Sequence, residues 1–265
     1  MITSLSNDRV KRVRALQGRR TARHKAGLFV IEGPNLMREA ILARTPVEEV
    51  FYTETFAAGE EGQHLLAGLS QLGATLMAVD GPVMAAMSDT QTPQGVLAVL
   101  PLPNLPAPEA PTFVLISDGI TDPGNLGTIM RAAVGAGVEL LIVTAGTVDV
   151  TNPKVVRSAA GAHFRLPIRQ YSWEAIPRRL ADHVIFLADS RGGTPYYDID
   201  WTQPCTLIVS DEAHGPSQPA RRTAHARTII PMPGQIESLN VSIAAAVLMF
   251  EVARQRSRSQ GRQVD

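Results

Sequence analysis

Four long apolar runs constrain this chain more than any other feature: FVLISDG (113–119), LLIVTAG (140–146), HVIFLADS (183–190) and CTLIVSDE (205–212), with a shorter TIIPM (228–232) after them. None alternates polar with apolar residues, so neither face of such a strand is suited to water. Strands buried on both faces belong to a parallel sheet wrapped by helices. Each run also ends in glycine, serine or an acid, and ligands in open α/β sheets gather outside those carboxyl ends.

The earlier part of the chain repeats this grammar more weakly. FVIEG (29–33), a helix from Pro34 to Ala43, VEEVFYT (47–53), a helix near 60–72, ATLMAVD (74–80) and GVLAVL (95–100) read as a small α/β domain. PLPNLPAPEAP then removes backbone donors at Pro101, Pro103, Pro106, Pro108 and Pro111 and favours a semi-rigid, extended path. The expected organisation is therefore a first domain over 1–100, a linker over 101–111 and a second domain over 112–265. A length of 265 residues with 45% hydrophobic content can fill two such cores.

Charge adds one asymmetry. The net formal charge is zero, yet Arg9, Lys11, Arg12, Arg14, Arg19, Arg20, Arg23 and Lys25 crowd the N-terminal stretch against Asp8 alone. Such a face suits phosphates, and its ordinary alternative is a solvated helix. The single cysteine, Cys205, lies in an apolar run, excludes an internal disulfide and reads as core. With no apolar leader and no run long enough to span a membrane, a cytoplasmic protein is expected. No ligand set for a metal stands out, and the tail RQRSRSQGRQVD reads as polar and frayed.

The chemistry is concentrated in DPGNLGTIMRAAVGAG (122–137), which leaves a buried strand through a proline and glycines and then becomes a small-residue helix carrying Arg131. Its glycines permit close approach, and a helix N-terminus offers unpaired N–H groups to an anion. Asn125 and Arg131 differ by about 600° of helical rotation, roughly 120° short of two turns, so both can border one groove. A dinucleotide fingerprint fails on glycine spacing, which argues against an NAD-dependent oxidoreductase, and no Walker lysine is present. LIVSDEAHGPS (207–217) and IIPMPGQIESLNVSIAAAVLMFE (229–251) supply two further strand-to-loop segments. In the latter, Ser238 is expected to cap a helix burying Leu239, Val241, Ile243, Ala246 and Val247.

In this order, DPGNLGTIMRAA, LIVSDEAHG and IPMPGQIESLNVSIA resemble the three signature motifs of the SpoU (TrmH-like) class of the SPOUT superfamily of RNA ribose 2′-O-methyltransferases. FVIEGPNLMREAI and TPQGVLAV resemble, more loosely, the L30e-like substrate-binding domain often fused to these enzymes. The resemblance implies a parallel-sheet domain with a deep trefoil knot, bent S-adenosylmethionine as cofactor, a homodimer that completes each site and a structured RNA as substrate. Ribosomal RNA, 23S rRNA first, is favoured; a tRNA enzyme and an RNA-binding member with weakened catalysis are the alternatives. Carried over by motif, cofactor contacts fall at Thr144, Gly146, Ser210, Glu212, Gly215, Ile230 and Leu239. Catalytic or substrate-orienting positions fall at Asn125, Arg131, Glu212, Ser238 and Asn240.

The resemblance also implies that the motif-one arginine, Arg131, acts as general base, but a guanidinium stays protonated near neutral pH and a neutral arginine base is scarce. Arg131 is better suited to holding the phosphate beside the target ribose and stabilising alkoxide charge, with Glu212 orienting it and proton removal shared by phosphate or water. His214 reads as an incidental loop histidine. The second motif departs from the family's G-N-E-G-x-G, since Ser210, Asp211 and Ala213 replace glycine, asparagine and glycine, which bears on cofactor affinity.

Overall fold

The computed structural model describes residues 1–211, 214–234, 236–259 and 261. The chain forms two compact units, Met1–Pro103 with Asp149–Phe164, and Asn104–Val148 with Arg165–Asp265.

The first unit opens with α1 (Asp8–Gly18) and α2 (Arg20–Ala26), followed by β1 (Leu28–Glu32), α3 (Pro34–Leu42), β2 (Glu49–Tyr52), α4 (Glu54–Ala58), α5 (Glu60–Gln71), β3 (Thr75–Ala78), α6 (Gly81–Met87) and β4 (Val96–Pro101). Asn7 caps α1 by accepting from the Arg9 amide, and Val10, Val13 and Leu16 recur at helical spacing to give its buried stripe. Strand order is β1-β4-β2-β3, antiparallel except for β2 with β3. Alternate residues of β1 point to opposite faces and both faces are covered: Phe29 and Ile31 join one core, Leu28 and Val30 the other.

The N-terminal cations divide once their partners are seen. Arg9 and Arg12 pair with Glu49, and Lys11 with Asp8. Arg23 is buried and donates to Asp149 (3.0 Å), Thr151 (3.2 Å) and the Leu16 carbonyl (2.8 Å). Arg14, Arg19, Arg20 and Lys25 are exposed, with no carboxylate partner among the described residues.

In the second unit come β5 (Phe113–Asp118), α7 (Pro123–Gly135) and β6 (Leu140–Val143). The chain then supplies α8 (Pro153–Ala159), whose Val156 joins Phe164 in the core of the first unit. It resumes with β7 (Ile168–Gln170), α9 (Ile176–Arg179), β8 (Val184–Ala188), β9 (Thr194–Pro195), β10 (Cys205–Ser210), α10 (Gln218–Thr223), β11 (Ala226–Ile229) and α11 (Val241–Ser259). The seven strands run in the order β7-β6-β5-β10-β8-β11-β9, every pair parallel. From β5 the chain builds outward to β6 and β7, then returns to build the other side, so the loops after β5 and β10 diverge where ligands bind in open sheets.

Three local expectations change. The glycine-rich stretch is helical from Pro123 onward, because Asp122 caps α7 by accepting from the Asn125 amide (2.8 Å). Asn125 therefore sits in the first turn of a helix, not in a loop. Ser238 does not cap α11: Asn240 does, its Oδ1 accepting from the Ser242 amide (3.0 Å). Ile243, expected in the core, is 53% exposed, while Ala245, Leu248, Met249 and Val252 form the buried stripe. No helix of the described residues is long and apolar enough to cross a membrane.

Candidate functional site

At the carboxyl ends of β8, β10 and β11 the chain encloses a cavity of about 220 Å³. Val209, Ile230, Met232, Leu239 and Leu248 give it apolar walls, and Asp189, Ser210, Asp211, Glu237 and Ser238 give it polar ones. A half-open pocket with both apolar and polar walls suits a small organic ligand that carries both kinds of surface.

Of the residues expected to touch a cofactor, Ser210, Gly215, Ile230 and Leu239 line this cavity, as does Ser238. Thr144 and Gly146 do not. They follow β6, which lies on the far side of β5 from β10. Thr144 is buried, and its hydroxyl donates to the Ser117 carbonyl (3.3 Å) and Asp118 (3.4 Å); Gly146 occupies an exposed turn with φ of 88°. Glu212, expected in both roles, lies outside the described residues.

Two expected catalytic residues meet directly. Asn240 Nδ2 donates to Asn125 Oδ1 at 3.0 Å, joining the first turn of α7 to the residue that caps α11. Asn240 is thereby used three ways, since its own Oδ1 also accepts from the Ser242 hydroxyl (2.6 Å) and amide (3.0 Å). Arg131 lies further along α7, exposed and with no partner among the described residues, outside the cavity lining of its own chain.

Asp118, the last residue of β5, was not among the expected site residues. It is 4% exposed, and its carboxylate accepts from the Ser217 amide (2.8 Å), the Ser210 hydroxyl (3.3 Å) and the Thr144 hydroxyl (3.4 Å). One buried group thus holds the loops after β6 and β10 and the cap of α10. An acid ending an otherwise apolar strand was the available signal.

Asp211, the departure from the family's asparagine, also has an internal use. Its Oδ2 accepts from the amide (3.2 Å) and hydroxyl (2.8 Å) of Thr121, and its carbonyl accepts from Gly215 (2.8 Å), whose φ is 65°. His214 contacts Asp211 Oδ1 at 3.2 Å with its side chain 80% exposed. Cys205 is buried at the start of β10, and burial pushes its thiol up to about 11, which leaves little nucleophilic thiolate at neutral pH. Among the described residues no group of three or more His, Cys, Asp or Glu is arranged to hold a metal.

Comparison with known proteins places this geometry in context. Residues 112–250 match the model of the SpoU rRNA Methylase family, and residues 7–98 match that of the MRM3-like substrate binding domain. A curated relative from Bacillus subtilis, the 23S rRNA (guanosine(2553)-2′-O)-methyltransferase RlmP, is 30% identical over 95% of this chain and 98% of its own. Among solved structures, the SpoU methyltransferase AviRb from Streptomyces viridochromogenes, in complex with the cofactor AdoMet, superposes with a TM-score of 0.83 at 31% identity, covering 94% of this chain and 98% of that one. An AdoMet-bound rRNA methyltransferase from Sinorhizobium meliloti gives 0.82 at 28% identity, covering 96% and 97%.

Proposed function

We propose that this chain, which belongs to the SpoU rRNA methylase family, transfers a methyl group from S-adenosylmethionine to the ribose 2′-hydroxyl of a structured ribosomal RNA, 23S rRNA first. The observation that carries the reading is the cavity itself: Ser210, Gly215, Ile230, Ser238 and Leu239 come from two segments, 207–217 and 229–251, and line one pocket. Its apolar walls fit a purine nucleoside, and its polar wall residues offer hydrogen-bond partners to the nucleoside's polar groups. When bound, the donor supplies an electrophilic methyl on a positively charged sulfur. The chain's own contribution is to position and to stabilise charge.

Asn125 and Asn240 hold each other across 3.0 Å and thereby fix the start of α7 against the start of α11. Arg131, two turns along α7 and open to solvent, is assigned to the phosphate next to the target ribose and to the oxygen as it loses its proton. Ser238, on the cavity wall, is assigned to a hydrogen bond at the ribose. Proton acceptance falls to phosphate or water, since a guanidinium does not deprotonate in this range.

A homodimer completes the proposal. Ile243 and Phe250 lie seven residues apart on one face of α11 and are 53% and 51% exposed, an apolar stripe that a second copy would cover. Ile243→Glu with Phe250→Glu should give monomers by light scattering and abolish turnover.

The deciding experiment is mass-spectrometric mapping of ribose methylation in rRNA from cells with and without the gene, joined to turnover of the purified protein. One rRNA methyl group should vanish with the gene. Arg131→Ala and Arg131→Lys should each lose most turnover, by about a hundredfold or more, while binding S-adenosylmethionine as the parent does. Full activity in either variant refutes the role given to Arg131; an unchanged methylation map refutes the substrate.

A further inference from the structure

Asp189, the residue directly after β8, has no assigned role. Its side chain is 3% exposed, and it lines the cavity. The backbone around it is fixed, with its amide donating to the Thr228 carbonyl at 3.0 Å. Oδ1 accepts from the Arg191 amide (3.0 Å), and Oδ2 accepts from Arg221 Nη1 (3.1 Å) and faces Arg227 Nη1 at 3.8 Å. The two guanidiniums are 31% and 52% exposed, so they compensate the carboxylate from the solvent side.

A buried charge is costly unless it is paired, and a carboxylate offers about four acceptor positions. The donors named above leave acceptor capacity over, on a group that forms part of the cavity wall. The same cavity is lined by apolar Val209, Ile230, Leu239 and Leu248. A ligand with one flat apolar part and one hydroxyl-bearing part matches this juxtaposition. In other α/β folds an acid at a strand end accepts from the hydroxyl of a nucleoside's ribose for the same reason.

We propose that Asp189 is a cofactor-binding residue that accepts a hydrogen bond from a ribose hydroxyl of the methyl donor's adenosine. This rests on the reading that the cavity takes S-adenosylmethionine. The positively charged sulfur is the poorer partner for the same carboxylate: stabilising a charge that the reaction consumes would favour the ground state over the transition state. Hydroxyl recognition carries no such penalty and adds selection against deoxynucleosides.

The test is calorimetric titration with S-adenosylhomocysteine and its 2′-deoxy and 3′-deoxy analogues on the full-length parent, Asp189→Asn and Asp189→Ala, with melting curves as a control for folding. The parent should bind the hydroxylated ligand about tenfold to a hundredfold more tightly than one of the two analogues. Asp189→Ala should bring that ratio to about one, chiefly by weakening the hydroxylated ligand. Asp189→Asn keeps the shape and should reduce the ratio several-fold, which serves if the alanine variant does not fold. Equal binding of all three ligands by the parent overturns the proposal. So does equal weakening of all three by the variants, which would leave Asp189 acting only through Arg221 and Arg227. If the parent binds neither S-adenosylhomocysteine nor S-adenosylmethionine, the methyl-donor reading falls as well.

Discussion

Replacing Asp118 with alanine should loosen the loops around the cavity while leaving the first unit unchanged. The carboxylate accepts from the Ser217 amide at 2.8 Å, a short bond to a charged group worth about 2 kcal/mol. The Ser210 and Thr144 hydroxyls, at 3.3 and 3.4 Å, are long and contribute about 0.5 kcal/mol each. The sum is about 3 kcal/mol, because alanine offers none of these donors a replacement. In a domain of this size that corresponds to a fall of about 6–12 °C in melting temperature. Asp118→Asn retains one acceptor oxygen for the Ser217 amide and should lose about 1 kcal/mol. Circular dichroism melts give the stability change, and amide exchange at Ser217, faster by tenfold or more in the alanine variant, locates it. Cofactor affinity should fall in parallel, since Ser210 and Gly215 line the cavity. A melting temperature within 1 °C of the parent, or fast exchange everywhere except the loop, would refute the idea that this one carboxylate holds the site together.

In the first unit, His163 is 1% exposed, its Nε2 lies 2.7 Å from the Val150 carbonyl, and burial lowers its pKa from 6.5. The unfolded chain then binds more protons, so stability should drop as pH falls below 6.5 toward the folded value, and His163→Phe should flatten that slope in pH-dependent melts. Asp149 behaves as a depressed acid: burial raises its pKa, but the Arg23 and Thr151 hydrogen bonds and the Arg23 charge outweigh that and bring it below 3.8. Its contribution is present above that value and lost as pH falls through the folded one, an acid loss that Asp149→Asn should abolish. Cys205 should resist thiol reagents in the native protein and react fully in denaturant; rapid native labelling would contradict its burial. Neutralising Arg14, Arg19, Arg20 or Lys25 should each reduce the salt slope of RNA binding by about 0.7–0.9, whereas Arg23→Ala should leave that slope and cost about 3–5 kcal/mol of stability.

The long strands β5, β6, β8 and β10 were legible because burial on both faces removes polar positions and each run closes on glycine, serine or an acid, whereas the short edge strands β7 and β9 gave no such run. Their order was not legible. Thr144 and Gly146 were carried over from the family resemblance as cofactor contacts; β6, which they follow, lies beyond β5 from the cavity, while β8 lies beside β10. Asp189 drew no expectation, because nothing near residue 189 reports that β8 borders the cavity. Likewise Ser238 and Asn240 both have the chemistry of a cap, and only the path of the chain before α11 decides between them. Arg23 looked like its cationic neighbours, since its partner Asp149 lies 126 positions away.

The second motif yields to the same kind of argument. Serine and aspartate at positions where the family has glycine and asparagine looked like additions that the cofactor loop would have to tolerate. In the fold each has a partner supplied by β5 or the loop after it: Ser210 donates to Asp118, and Asp211 accepts from both polar groups of Thr121. These bonds cross between adjacent parallel strands at their carboxyl ends, where β5 and β10 run in register as far as Asp118 with Ser210. The altered residues therefore tie one ligand loop to the segment leading into α7, and so to Asn125 and Arg131. The departures thus trade backbone freedom in the loop for a fixed connection to α7. Restoring glycine at Ser210 should then loosen the tie between the two loops without closing the cavity.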